Sequence, residues 1–126
     1  MNITCGTDII EIDRIRKSIE ELGDKFLNKI YSGKEIEYCE GKNKAKYQHY
    51  AARFAAKEAI FKAISFNLKN KFEITWTDAE ILNDKNGKPY VHFIENKIPN
   101  LKQIDISISH CKDYAVANVI AIWDNI

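Results

Sequence analysis

The chain opens on a stretch in which β-branched residues dominate and alternate with other types. Residues 3–12 (I-T-C-G-T-D-I-I-E-I) are therefore predicted to form a β-strand. In that strand Asp8, Ile10 and Ile12 share one face, so a carboxylate lies among isoleucines. Aspartate is disfavoured inside strands and can simply mark an edge or a bulge. Asp8 is the first charged residue of this strand.

Helical spacing follows the strand. Ile15, Ile19 and Leu22 form an apolar stripe, which predicts a helix over residues 14–22 that begins at Asp13 as N-cap. Gly23 is expected to end it.

Two short helices are expected next. The first covers about residues 25–31, and the second opens on the S-x-x-E capping box of Ser32 and Glu35 and ends near Gly41.

A long helix is predicted over residues 44–66, which are rich in alanine and contain neither glycine nor proline. One turn away from Glu58 on this helix lie Phe54, Ala55, Phe61 and Lys62. A carboxylate among mostly apolar side chains must be paired, bind a metal or be partly exposed.

The second half of the chain has strand and hairpin signals. I-T-W-T-D-A-E-I-L (74–82) and P-Y-V-H-F-I (89–94) flank N-D-K-N-G-K, and a second hairpin is expected with its turn at residues 111–113. Helices followed by antiparallel hairpins make the predicted class α+β, a long helix packed on a small, mostly antiparallel sheet.

Composition narrows the classes of protein. The chain has 126 residues, of which 45% are hydrophobic and 29% charged, so one domain over residues 1–126 is expected. A net charge of +1 gives no global attraction to nucleic acid or to an anionic membrane. The three cysteines lack metal-ligand spacing, and apolar runs stay far below the roughly 20 residues of a membrane span, so a cytoplasmic protein with reduced thiols is expected.

Asp8, Glu58 and Lys62 suggest a phosphate site if the first strand lies beside the long helix. Two carboxylates can hold one Mg²⁺, whose remaining positions are filled by water and substrate phosphate oxygens. Lys62 would then point a cation at the same phosphates. The alternatives are an ordinary Glu58–Lys62 ion pair and an edge position for Asp8.

Other polar residues allow two interpretations. His110 ends a predicted strand, where a side chain can reach a ligand or can be merely structural. Arg14 and Lys17 share a helix face that is either solvated surface or a basic patch for an acidic partner.

Four motifs occur in order along the chain: G-T-D-I-I-E-I at 6–12, R-F-A-A-K-E-A at 53–59, N-G-K-P at 86–89 and S-I-S-H at 107–110. Together they resemble the holo-acyl-carrier-protein synthases, the phosphopantetheinyl transferases that modify acyl carrier proteins in fatty acid biosynthesis. The most specific block is R-F-A-A-K-E-A with Lys62 after it, and the resemblance covers essentially the whole chain.

The resemblance implies a reaction and a set of roles. The enzyme would move 4′-phosphopantetheine from coenzyme A to a carrier-protein serine with Mg²⁺ and release adenosine 3′,5′-bisphosphate. Asp8 and Glu58 would bind Mg²⁺, and Glu58 and Lys62 would be catalytic. Coenzyme A would be bound by Arg53, Lys62, Gly87, Pro89, Ser109 and His110, and the carrier protein by Arg14 and Lys17.

The resemblance also implies a homotrimer with a site at each subunit interface, which would let Arg53 and Glu58 serve neighbouring sites although they lie about 140° apart on one helix. One departure is the segment Ile64–Lys69, where family members usually carry glycines and this chain has none. A binding module without catalysis and a purely structural oligomer are the competing hypotheses, and neither needs two carboxylates at a metal.

Overall fold

The computed structural model describes residues 2–68, 74–95 and 98–124. In chain order its strands and helices are β1 (Asn2–Glu11), α1 (Ile12–Leu22), α2 (Asp24–Ile30), α3 (Gly33–Glu40), α4 (Lys46–Ile64), β2 (Ala79–Asn83), β3 (Pro89–Phe93), β4 (Leu101–His110) and β5 (Tyr114–Trp123). Short 3₁₀ turns at Asn43–Ala45 and Ser65–Asn67 flank α4, and a third covers Trp76–Asp78. The predicted α+β class is confirmed.

The main sheet has the strand order β1-β5-β4, and both pairs are antiparallel. The first strand of the chain therefore pairs with the last, which places Asp8 opposite Ala117. The hairpin β2–β3 forms a separate two-stranded sheet. The two predicted hairpins are present, and the pairing of β1 with β5 joins the ends of the chain.

Helix α4 packs against the inner face of the main sheet, where its alanines allow the backbones to come close. At Gly6 of β1 an added Cβ would lie 2.0 Å from the carbonyl oxygen of Ala59. The buried core on this side includes Ile60, Ile106 and Trp123. This close contact sets β1 directly beside the turn of α4 that carries Glu58.

The start of α1 differs from the prediction. The helix begins at Ile12, with Glu11 as N-cap and no side-chain cap, so the proposed cap by Asp13 is wrong. Asp13 instead lies in the first turn of the helix, where a carboxylate is also favourable. It forms ion pairs there with Arg16 and Lys17. Leu22 is 53% exposed and is not part of the buried stripe.

The strand predicted over residues 74–82 begins only at Ala79. The preceding residues form the 3₁₀ turn Trp76–Asp78, in which the Asp78 side chain accepts a hydrogen bond of 2.8 Å from the Thr75 amide. This local capping box competes with strand geometry.

Other local predictions are confirmed. Ser32 and Glu35 form the capping box of α3, and Gly23 follows α1 with a φ of 60°. The glycine-free segment after α4 continues as a 3₁₀ turn, and Lys69 lies outside the described residues. Within the described part of the chain, no helix combines the length and hydrophobicity that a membrane span requires.

Candidate active site

A pocket of about 360 Å³ lies where β1, α1 and α4 meet. Asp8 from β1 and Glu58 and Lys62 from α4 all line it, so the three side chains singled out by spacing are together. We call it the carboxylate pocket. The remaining lining residues are Ile9, Ile10, Arg14, Ile15, Ser18, Phe26 and Phe54.

Lys62 connects the helix to the strand. Its Nζ lies 3.2 Å from Asp8 Oδ1 and donates a 2.9 Å hydrogen bond to the carbonyl of Thr7. A Glu58–Lys62 ion pair is not among the ion pairs of the residues described. The ammonium therefore remains beside Asp8, and within the described residues no close ion pair neutralises Glu58.

Glu58 is half-buried, and burial together with the neighbouring charge of Asp8 raises its pKa above the usual value. Two carboxylates that face one pocket and repel each other are a suitable place for a divalent cation. Over the described ranges no set of three or more His, Cys, Asp or Glu side chains is placed to hold a metal. Two oxygen ligands fit Mg²⁺, which commonly takes one or two carboxylates and completes its shell with water and phosphate.

The two basic residues of α1 have different surroundings. Arg14 is exposed and lines the carboxylate pocket together with Asp8, Glu58 and Lys62. Lys17 lies one turn further on and forms an exposed ion pair of 3.3 Å with Asp13. The structure therefore brings Arg14, but not Lys17, to the carboxylate pocket.

Four aromatic rings are in contact with one another here: Phe26 and Phe54 line the carboxylate pocket, and Phe61 and Trp76 line a neighbouring apolar cleft. Phe54 stacks on Trp76 with ring centroids 5.0 Å apart, and Phe26 also stacks on Phe54, at 6.5 Å. Trp76 also meets Phe61 edge-on at 5.3 Å. We call these four residues the aromatic wall. Trp76 was predicted only as part of a strand, although the aromatic residues at positions 54 and 61 of one helix face were a usable signal.

Arg53 lies in a second cleft, of about 310 Å³, which shares no lining residue with the carboxylate pocket. Its guanidinium is 4.2 Å above the ring of Tyr38, and Nη2 donates a 2.6 Å hydrogen bond to Asn83. Arg53 is only 4% exposed, and among the described residues its Nε has no partner. A buried cation held by an aromatic face and an amide is suited to an anionic ligand.

The side chain of Asn83 connects Arg53 to the Asn86-Gly87 turn, which the family resemblance places near coenzyme A. Asn83 accepts from Arg53 and donates a 3.0 Å hydrogen bond to the carbonyl of Gly87, whose φ is 84°. Pro89 begins β3 directly after this turn. Asn83 was not among the site residues predicted from the sequence, although its position at the end of β2 and close to the Asn86-Gly87 turn was a usable signal.

The end of β4 lies at the N-terminal part of α4. The ring of His110 meets His49 edge-on at 5.7 Å, and His49 contacts Tyr38 at 5.5 Å. Ser109 is exposed one residue earlier and pairs with Val116 of β5. We call Tyr38, His49, Arg53, Asn83 and His110 the arginine cluster.

His49 is expected to titrate far below an ordinary histidine. Burial and the positive charge of Arg53 lower its pKa to about 4 from 6.5. The unfolded chain binds a proton at His49 more tightly than the folded protein does. His49 therefore does not lower the free energy of unfolding above about pH 6.5, and that free energy declines as the pH falls toward 4. NMR titration of the His49 ring should give a midpoint near 4, against about 6.5 in urea, and a native midpoint above 6 would contradict this arrangement.

Comparisons with known proteins agree over nearly the whole chain. The model of the 4′-phosphopantetheinyl transferase superfamily matches residues 4–119. A holo-acyl-carrier-protein synthase from Ruminiclostridium cellulolyticum is 46% identical, covering 99% of this chain and 96% of that protein. One from Protochlamydia amoebophila is 42% identical, covering 99% and 100%.

Solved structures give the same match. A holo-acyl-carrier-protein synthase from Bacillus anthracis, in complex with coenzyme A (3′,5′-ADP), is 35% identical, covers 94% of both chains and has a TM-score of 0.77. The enzyme from Helicobacter pylori, in complex with coenzyme A, is 32% identical with a TM-score of 0.81 and covers 94% of this chain and 99% of that one.

Proposed function

Because the chain belongs to the 4′-phosphopantetheinyl transferase superfamily, among the holo-acyl-carrier-protein synthases, we propose that it transfers phosphopantetheine from coenzyme A to a serine of apo acyl carrier protein. The serine oxygen attacks the β-phosphorus of coenzyme A, the bond to adenosine 3′,5′-bisphosphate breaks, and the serine proton passes to an acceptor in the pocket. The observation that carries this proposal is the meeting of Asp8, Glu58 and Lys62 in the carboxylate pocket.

Asp8 and Glu58 are the proposed ligands of Mg²⁺. When bound, the cation would neutralise phosphate charge and orient the diphosphate of coenzyme A. Glu58 would keep its carboxylate ionised there despite the burial that raises its pKa. Lys62, held beside Asp8, would stabilise negative charge that develops on the phosphate oxygens.

The nucleotide part of coenzyme A is assigned to the arginine cluster and the adjoining turn. Arg53, Ser109 and His110 would bind its phosphates together with Lys62, and the turn with Gly87 and Pro89 would contact the nucleotide end. Since Arg53 and Glu58 open into separate clefts of one chain, a single ligand reaches both most directly when they come from neighbouring subunits. This supports a site at each subunit interface, and the family resemblance implies that the oligomer is a homotrimer.

The outer face of the main sheet is the proposed trimer surface. Ile3, Ile9 and Ile120 are 65%, 63% and 52% exposed there, and Cys5 lies opposite Ile120. Exposed isoleucines on neighbouring strands form the kind of apolar patch that typically lies in an interface.

Ile120→Arg is expected to separate the subunits, because it places a charge in this apolar face. Light scattering after gel filtration should give the monomer mass, and transfer should fall by on the order of a hundredfold because the shared site is lost. Ile94→Arg is the matched control, since Ile94 is also 52% exposed but follows β3, outside the main sheet. An active trimeric Ile120→Arg variant would contradict the assignment of this face.

The acidic acyl carrier protein is assigned to the exposed face of α1, with Arg14 and Lys17 as its contacts. Arg14 also lines the carboxylate pocket, so a carrier bound there would bring its serine toward Glu58. Binding through such exposed charges depends on salt. We place the enzyme in the cytoplasm, as one domain, in fatty acid biosynthesis.

Product release tests the reaction directly. The protein is incubated with coenzyme A, Mg²⁺ and apo acyl carrier protein, and adenosine 3′,5′-bisphosphate is measured by chromatography. Release that requires the carrier, stops with EDTA and is absent with a carrier whose acceptor serine is alanine supports the proposal. Binding of coenzyme A without any release would favour the binding module instead.

A further inference from the structure

A fully buried ion pair links α3 to α4. Lys57 Nζ lies 2.7 Å from Glu35 Oε1. The same ammonium donates to two backbone carbonyls, that of Ile30 at 2.9 Å and that of Trp76 at 2.8 Å. Since an ammonium has three N–H donors, every donor of Lys57 is used.

The carboxylate of Glu35 is equally satisfied. Oε1 also accepts from the amide of Ser32 and Oε2 from the amide of Ile81, each at 2.9 Å. The pair therefore attaches four backbone points to α4: the end of α2, the start of α3, the 3₁₀ turn at Trp76 and strand β2. Stability alone explains such a pair poorly, because well-packed apolar residues of similar volume are often equally stable.

Two of these attached elements carry the aromatic wall. Phe26 belongs to α2, whose last residue Ile30 is bound by Lys57, and Trp76 is bound through its own carbonyl. Both rings stack on Phe54, which lines the carboxylate pocket with Glu58. A shift of either element against α4 would move the wall of the pocket in which Glu58 lies.

We propose that Glu35 and Lys57 are positioning residues for phosphopantetheine transfer, which hold the aromatic wall in place beside Glu58. The inference rests on the proposed function. Neither side chain can touch a substrate, since both are fully buried with all their contacts inside the protein. Their effect on the reaction is exerted through Phe26, Phe54 and Trp76.

Lys57→Met tests the proposal, since methionine keeps an unbranched chain and removes the charge and all three hydrogen bonds. The matched control is Ile106→Ala, a core truncation that also destabilises but lies outside both the carboxylate pocket and the arginine cluster. Both are assayed at a temperature where circular dichroism shows them folded. We expect Lys57→Met to lower kcat at least about tenfold and Ile106→Ala to stay within about twofold of the parent. Equal losses, or a normal kcat in Lys57→Met, would overturn the proposal.

A second readout does not depend on activity. The indole N–H signal of Trp76 is identified in a ¹⁵N spectrum by its loss in Trp76→Phe. Lys57→Met should shift this signal and leave the signal of Trp123, whose indole donates to Thr4, unchanged. An unchanged Trp76 signal overturns the positioning role even if transfer is observed. Absence of transfer in the parent protein would instead count against the proposed function. If Lys57→Met does not fold, Glu35→Gln undergoes both measurements.

Discussion

Glu58→Gln is expected to lower kcat/KM by about a thousandfold and to leave the protein folded. The amide keeps the size of the side chain but removes the negative charge with which Glu58, together with Asp8, would hold Mg²⁺. Burial and Asp8 already penalise that charge, as the raised pKa of Glu58 indicates, so the neutral variant should melt at the same temperature as the parent or higher. Transfer assays and thermal melting by circular dichroism measure the two effects.

The matched control is Glu37→Gln, which neutralises an exposed carboxylate on α3 and should change neither property. A Glu58→Gln enzyme with near-normal turnover would remove the metal assignment. A variant that is inactive because it is unfolded would contradict the expected separation of activity from stability.

Gly6→Ala is expected to destabilise the protein by about 3 kcal/mol or more, with a fall in Tm of about 10 °C or more. A Cβ at this position would lie 2.0 Å from the carbonyl oxygen of Ala59 and 3.0 Å from the amide nitrogen of Ala63. Both are backbone atoms of α4, so the strand and the helix would have to separate. Because Asp8 follows Gly6 by two residues and Glu58 precedes Ala59, the same shift should also reduce transfer in any folded fraction.

Gly33→Ala serves as the control for this substitution. Gly33 is the first residue of α3 and an added Cβ would meet nothing within 4 Å, so the change should be neutral or slightly stabilising. Urea or thermal denaturation compares the variants. Equal stability of Gly6→Ala and the parent would mean that β1 and α4 are not packed as closely as described.

The candidate site could be predicted in part because Asp8 and Glu58 conflict locally with their surroundings. A carboxylate in an isoleucine strand and another in an alanine-rich helix stand out from the pattern. Their meeting could not be derived from spacing, because it depends on the contact of Gly6 with Ala59, more than fifty residues away. The family resemblance supplied what the local pattern could not.

Most of the other features that the sequence did not predict depend on contacts between residues far apart in the chain. The buried pair of Glu35 and Lys57 joins residues 22 positions apart, and a lysine directly before the glutamate Glu58 gives no sign that it will be buried. The pairing of β1 with β5 likewise follows from packing and not from either strand alone. Asp13 was misplaced because first-turn and N-cap positions both favour aspartate, and only the backbone distinguishes them.

The most direct test is the intact mass of an apo acyl carrier protein after incubation with this protein, coenzyme A and Mg²⁺. A gain of one phosphopantetheine that is lost with EDTA and with Glu58→Gln is the expected result. An unchanged mass, with a carrier that another phosphopantetheinyl transferase does modify, would contradict the assignment of the carboxylate pocket as a transferase site.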